Sequence, residues 1–60
     1  MTIIIGQDTI GYYVRTVGHD GTIYSMEVGI KTKKMARQIA ATMGDRFIEK
    51  GEAVRITDKT

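Results

Sequence analysis

Three consecutive stretches decide the fold: GYYVRTV at residues 11–17, GHDG at 18–21 and TIYSMEVGI at 22–30. The two flanks are rich in aromatic and β-branched residues, which suit a pleated strand. Between them, His19-Asp20-Gly21 fits a three-residue hairpin loop. Such a loop is a type I turn followed by a glycine at the position that needs positive φ. This turn predicts a register. Val17 faces Ile23, Thr16 faces Tyr24, Arg15 faces Ser25, Val14 faces Met26, Tyr13 faces Glu27 and Tyr12 faces Val28. Alternation then gives one face Tyr12, Val14, Thr16, Tyr24, Met26 and Val28, with Ile30 beyond. The other face receives Tyr13, Arg15, Val17, Ile23, Ser25 and Glu27. The first set is nearly all apolar and is expected to face the core. A slip of one residue would set Arg15 beside Tyr24 and Met26, which the turn and the pattern together disfavour.

After the hairpin the period changes. Thr32 reads as a helix N-cap, its hydroxyl placed to accept from an orphan amide. The helix is predicted from about Lys33 to Lys50, with Gly51 stopping it. Met35, Ile39, Met43 and Phe47 recur every four residues, with Ala36, Ala40, Gly44 and Ile48 in a row beside them. Together they form one apolar stripe. Gly44 on that stripe suggests a close approach of helix to sheet. Residues 52–57 (EAVRIT) alternate again and read as a last strand, with Val54 and Ile56 inward and Arg55 outward. Residues 2–5 (TIII) read as a further strand of open register, separated from the hairpin by Gly6-Gln7-Asp8. The expected fold is α+β, a two-layer β-β-α-β sandwich in a single domain, residues 1–60. One long helix packs on a three-stranded antiparallel sheet, or a four-stranded one if residues 2–5 join it.

Composition narrows the function classes. Sixty residues leave room for one small core. There is no cysteine, so there is no disulfide, thiolate metal site or thiol nucleophile, and a single histidine, His19, sits at the hairpin tip. The carboxylates Asp8, Asp20, Glu27, Asp45, Glu49, Glu52 and Asp58 are scattered over turns, helix surface and chain ends. Acid–base chemistry needs such groups paired or perturbed in a cleft, so no enzyme, no metal and no cofactor is expected. The glycines at 18 and 21 belong to a hairpin, not to a phosphate-binding loop. No apolar run exceeds three residues, far short of a membrane span, and Met1-Thr2-Ile3 lacks the start of a signal peptide, so a cytoplasmic protein is expected.

Two surfaces remain as candidates for binding. The sheet face turned away from the helix would carry Tyr13, Arg15, Val17, Ile23 and Arg55, a mixture of aromatic, aliphatic and guanidinium groups that suits a protein interface. The same mixture suits base stacking with phosphate contact. The helix start, Lys31-Thr32-Lys33-Lys34 followed by Arg37, opposes the helix dipole and so is not there for helix stability. It could grip phosphates, or serve as a solvated surface. The candidate partner-binding residues are therefore Tyr13, Arg15, Ile23, Arg55, Lys33, Lys34 and Arg37.

Two resemblances follow from these stretches. The hairpin with Ile30-Lys31-Thr32-Lys33-Lys34-Met35-Ala36 resembles the amino-terminal arm-binding domain of phage-type integrases, which implies nucleic-acid binding by the sheet face. The length and the β-β-α-β plan resemble small phage proteins that bind and disable a host protein. Within that group, Phe47-Ile48-Glu49-Lys50 closing a long helix, a strand through Val54 and Ile56, and Asp58 near the end look like the antitoxin of T-even phages against messenger-RNA-cleaving toxins. That resemblance implies inhibition by steric occlusion. The leading expectation is a non-enzymatic module that binds a host or toxin protein. Nucleic-acid binding is the alternative, and a homodimer through the open face is a third reading.

Overall fold

The computed structural model describes all residues, Met1–Thr60. The elements are β1 (Thr2–Asp8), β2 (Gly11–Val17), β3 (Ile23–Ile30), α1 (Lys33–Glu49) and β4 (Arg55–Asp58). They form one four-stranded sheet in the order β3-β2-β1-β4. Strands β1, β2 and β3 make an antiparallel meander, and β4 lies parallel to β1. The fold is the expected small α+β sandwich with the N-terminal strand included. The sheet is mixed, which corrects the antiparallel expectation. The reason is topological: β3 and β4 point the same way, and the helix carries the chain from one edge of the sheet to the other. Seventeen helical residues span about 25 Å, enough to cross four strands about 5 Å apart.

Strand β1 is longer than the TIII segment suggests. It runs through Gly6 and Gln7 to Asp8 and turns directly into β2, with Asp8 opposite Gly11. The Asp8 carboxylate accepts the Ile10 amide at 3.0 Å and closes this tight turn. The second hairpin turns as expected. Gly21 has φ 85°, its amide donates to the Gly18 carbonyl at 3.1 Å, and the Gly18 amide donates to Thr22 at 2.8 Å. The Thr22 amide donates to Asp20 and holds that carboxyl below its ordinary range.

Beyond the first pair, Val17 with Ile23, the register departs from expectation. Thr16 faces Ser25, Arg15 faces Met26, Val14 faces Glu27, and Tyr12 faces Ile30. Strand β3 carries two extra residues relative to β2. Tyr24 is the first bulge, and Val28-Gly29 opposite Tyr13 is the second. Gly29 supplies the positive φ, 68°, that this second irregularity uses. Each bulge flips the alternation. Met26 and Val28 therefore leave the core face, where they were expected, while Ser25 and Glu27 move to the helix side. The second bulge restores Ile30 to the core, 6% exposed. Tyr24 does not enter the core either; its ring lies against Gly18 near the hairpin end, and the residue is 61% exposed.

A buried hydroxyl explains why the shifted register is favourable. Thr16 is wholly buried on the helix side. In the bulged register Ser25 stands opposite it and donates to its hydroxyl at 3.0 Å, while Thr16 donates to the Met43 sulfur at 3.6 Å. The unbulged register would place a tyrosine there and leave the hydroxyl without that donor.

The helix is capped at both ends. The Thr32 hydroxyl accepts the Met35 amide at 3.1 Å. At the other end the Glu52 amide donates to Phe47 and the Gly51 amide to Ile48, the paired bonds of a Schellman motif. Ala36, Ala40 and Gly44 form the buried ridge, set against Ile3, Ile5, Val14 and Ile30. Ile39, Met43, Phe47 and Val54 pack around that core, whereas Met35 and Ile48 stay exposed. A Cβ added at Gly44 would meet the ends of Ile3, Val54 and Ile56 at 3.6–3.7 Å, ordinary van der Waals contact. The close backbone approach expected there is absent.

Candidate binding face of the sheet

The strand pairings arrange the face opposite the helix into rows. One row runs Ile23, Val17, Thr2, Arg55 across β3, β2, β1 and β4. The next runs Met26, Arg15, Ile4, Thr57. In the third, Tyr13 stands beside Gly6, with Val28 at the β3 edge. Ile23, Met26 and Val28 are each about half exposed, at 54%, 49% and 52%. No carboxylate lies within these rows. Asp8 at the far turn is turned back to its own loop, and Glu27 and Asp58 project to the helix side with Val14 and Ile5. The face is thus apolar along β3 and cationic at Arg15 and Arg55.

Tyr13 is fixed by its cross-strand neighbour. Its ring lies across Gly6, so closely that a Cβ at position 6 would fall within the ring atoms. A tyrosine laid over a strand glycine restores the packing the glycine lacks. The Arg15 guanidinium carbon sits 5.7 Å from the centroid of the same ring, within cation–π reach. Arg15 has a second notable property. Its Nε–H is buried and has no hydrogen-bond partner. Such an orphan donor costs on the order of 1–3 kcal/mol, more when the group is charged. At the end of the first row, Arg55 shares a depression of about 360 Å³ with Thr2, His19, Ala53 and Val54, again with no carboxylate in its lining.

The expected site residues divide between the two layers. Tyr13, Arg15, Ile23 and Arg55 come together on the open sheet face. Lys33, Lys34 and Arg37 stand on the helix, on the opposite side of the molecule. Two of these three serve the fold. Arg37 donates from Nε and Nη2 to one oxygen of Asp58 at 3.1 and 2.9 Å, and Lys33 Nζ lies 3.8 Å from that oxygen. The Thr60 hydroxyl and amide donate to the other oxygen at 2.6 and 3.0 Å. Thr60, then Arg37 and Lys33, hold the Asp58 carboxyl well below the usual carboxylate range. This cluster ties β4 to the helix start, so the joint surface of basic helix start and sheet face does not form.

Met26 and Val28 belong to the candidate face although they were assigned to the core. The sequence holds one signal for this, the glycine at position 29, which permits the bulge. A second apolar surface lies on the helix side. It is a groove of about 450 Å³ lined by Met35, Ile39 and Met43, with Glu27 and Arg46 also in its lining. No three of the histidine, aspartate and glutamate side chains gather as a metal site would require. No helix is long and apolar enough to cross a membrane. Comparison of the chain with family models, curated proteins and solved structures gives no match.

Proposed function

We propose that the chain is a small non-enzymatic module that captures a protein on the open face of its sheet and acts by occluding it. The observation that carries this reading is the face itself. Half-exposed aliphatic side chains along β3 adjoin Arg15, and Arg55 stands at the far edge of the same face, with no carboxylate among the rows. Apolar anchors beside arginine are the composition of a protein interface. Occlusion of a host protein, as by a phage-type inhibitor or an antitoxin against an endoribonuclease toxin, is the form of action that the sequence resemblance adds. The test is affinity capture from cell lysate, with and without nuclease, using the wild type and the double variant R15E/R55E. A stoichiometric protein that survives nuclease and is lost with the double variant is the expected result. Capture at full strength by R15E/R55E, with its fold intact by circular dichroism, would remove this face from consideration.

A nucleic-acid partner is the second reading, favoured by the same cationic character. The face offers bases little to stack on, because its one aromatic ring, Tyr13, already lies against Gly6 and beside Arg15. Binding to single- or double-stranded DNA or RNA at about 50 mM salt, weakening steeply as salt rises, would establish it in place of the first reading.

A further inference from the structure

Resting on the reading of this face as a protein-binding surface, we infer that its occupant is an acidic, apolar peptide segment. One carboxylate is received by Arg15 and a second by Arg55, and aliphatic side chains cover Ile23, Val17, Met26 and Ile4. Three observations converge on this chemistry. The rows hold two positive groups and no negative one, so their field selects an anion. The Arg15 Nε–H has no partner within the chain. That Nε is shut off from solvent, so a carboxylate would accept end-on from the two Nη groups, the outer bidentate edge of the guanidinium. Arg55 opens onto a depression lined by Thr2 and His19 that holds no acid of its own. A second copy of the chain is a poor occupant, since a like face brings two more arginines and no carboxylate to neutralise them. Arg15 on β2 and Arg55 on β4 are two strands apart and in adjacent rows. Their Cα atoms stand about 10 Å apart across the strands and about 7 Å along them. A short extended or helical segment can place two carboxylates at that separation.

The test is selection from a random displayed library of twelve-residue peptides against the intact chain, repeated against R15E/R55E. Selected peptides are then titrated into isotopically labelled protein and followed by NMR. The expected result is enrichment of peptides with two or more Asp or Glu among aliphatic residues. These should shift the amides of β2, β3 and β4 and lose at least tenfold in affinity toward R15E/R55E, with the double variant selecting basic peptides instead. Peptides that map to the sheet face without an acidic excess would overturn this inference and leave the protein-binding reading standing. Peptides that map to the Met35–Met43 groove would overturn both. Failure to enrich any peptide would overturn the inference, and the lysate capture would then decide the broader reading separately.

Discussion

Replacing Met26 with aspartate separates the observed register from the one that alternation predicts, and the two give opposite outcomes. In the structure Met26 sits on the open face, 49% exposed, directly opposite Arg15. Full burial of a methionine is worth about 1.5–3 kcal/mol, so roughly half of that is at stake here. Aspartate is a poor strand residue, at a cost of up to about 1 kcal/mol. The new carboxylate faces a guanidinium across the strand pair, which returns about 0.2–1 kcal/mol. The net expected cost is about 1–2 kcal/mol. A domain of this size has about 3–5 kcal/mol in hand, so M26D remains folded with a lowered midpoint. In the unbulged register Met26 would lie under the helix beside Val14. The same change would then open a core cavity and bury an unpaired charge, more than the fold can bear. The assay is urea unfolding followed by circular dichroism, with V14D as the control for a residue at 0% exposure. V14D should be unfolded in buffer, while M26D should unfold cooperatively at a reduced urea midpoint. Loss of the folded baseline in M26D, matching V14D, would refute the bulged register and with it the composition of the candidate face.

Three further outcomes follow from the packing. G44A should stabilise by about 1 kcal/mol, because helix propensity favours alanine by that amount and the added methyl meets only ordinary contacts; thermal unfolding should show a rise of about 4–8 °C, and a fall would mean that helix and sheet approach more closely than their side chains indicate. G6A should destabilise by about 1 kcal/mol, since Tyr13 must swing off the strand and forfeit its cross-strand packing; an unchanged midpoint, or an unmoved Tyr13 ring signal by NMR, would contradict this. Asp58 gives the fold an acid-sensitive joint. Its folded pKa lies below the unfolded value of about 3.9, so its contribution is complete above that pH and drains away as pH falls toward the folded value. Wild-type stability should therefore decline between about pH 4 and pH 2, and D58N should start lower near neutrality and decline less over the same window. Parallel acid limbs for the two proteins would exclude Asp58 as the source.

What could be read from the sequence depended on how local each signal was. The Gly18–Gly21 turn, the Thr32 cap and the Gly51 stop are settled by a few adjacent residues, and the structure places them as expected. Arg55 on the outer face and Val54 against the core follow from simple alternation. The register of β3 is not local. It depends on Thr16 finding a hydroxyl partner nine residues on, in Ser25, and on Met43 arriving from the helix to accept its hydrogen bond. Hydrophobic patterning alone favours the alternative, because Tyr24, Met26 and Val28 look like core. The parallel β4 is equally remote: it needs β1, fifty residues earlier, to be already paired with β2.

The same two bulges that defeat a simple reading also bring apolar residues onto the candidate site. Without them the β3 side of the open face would carry Ser25 and Glu27 between the two hairpin ends. Arg15 would then stand opposite a serine, close to an internal carboxylate. With them the carboxylate passes to the helix side and Arg15 gains Met26 as its neighbour. Bulges also twist an edge strand and interrupt its regular pairing, which discourages a second strand from adding to β3. On the proposed reading, this would direct a partner onto the face and away from the edge. Deleting Gly29 should remove the second bulge, let the edge pair regularly, and yield a chain that self-associates through β3. Sedimentation at several concentrations reads this directly, and a deletion variant that folds and stays monomeric at every concentration would show that something other than the bulges protects the edge.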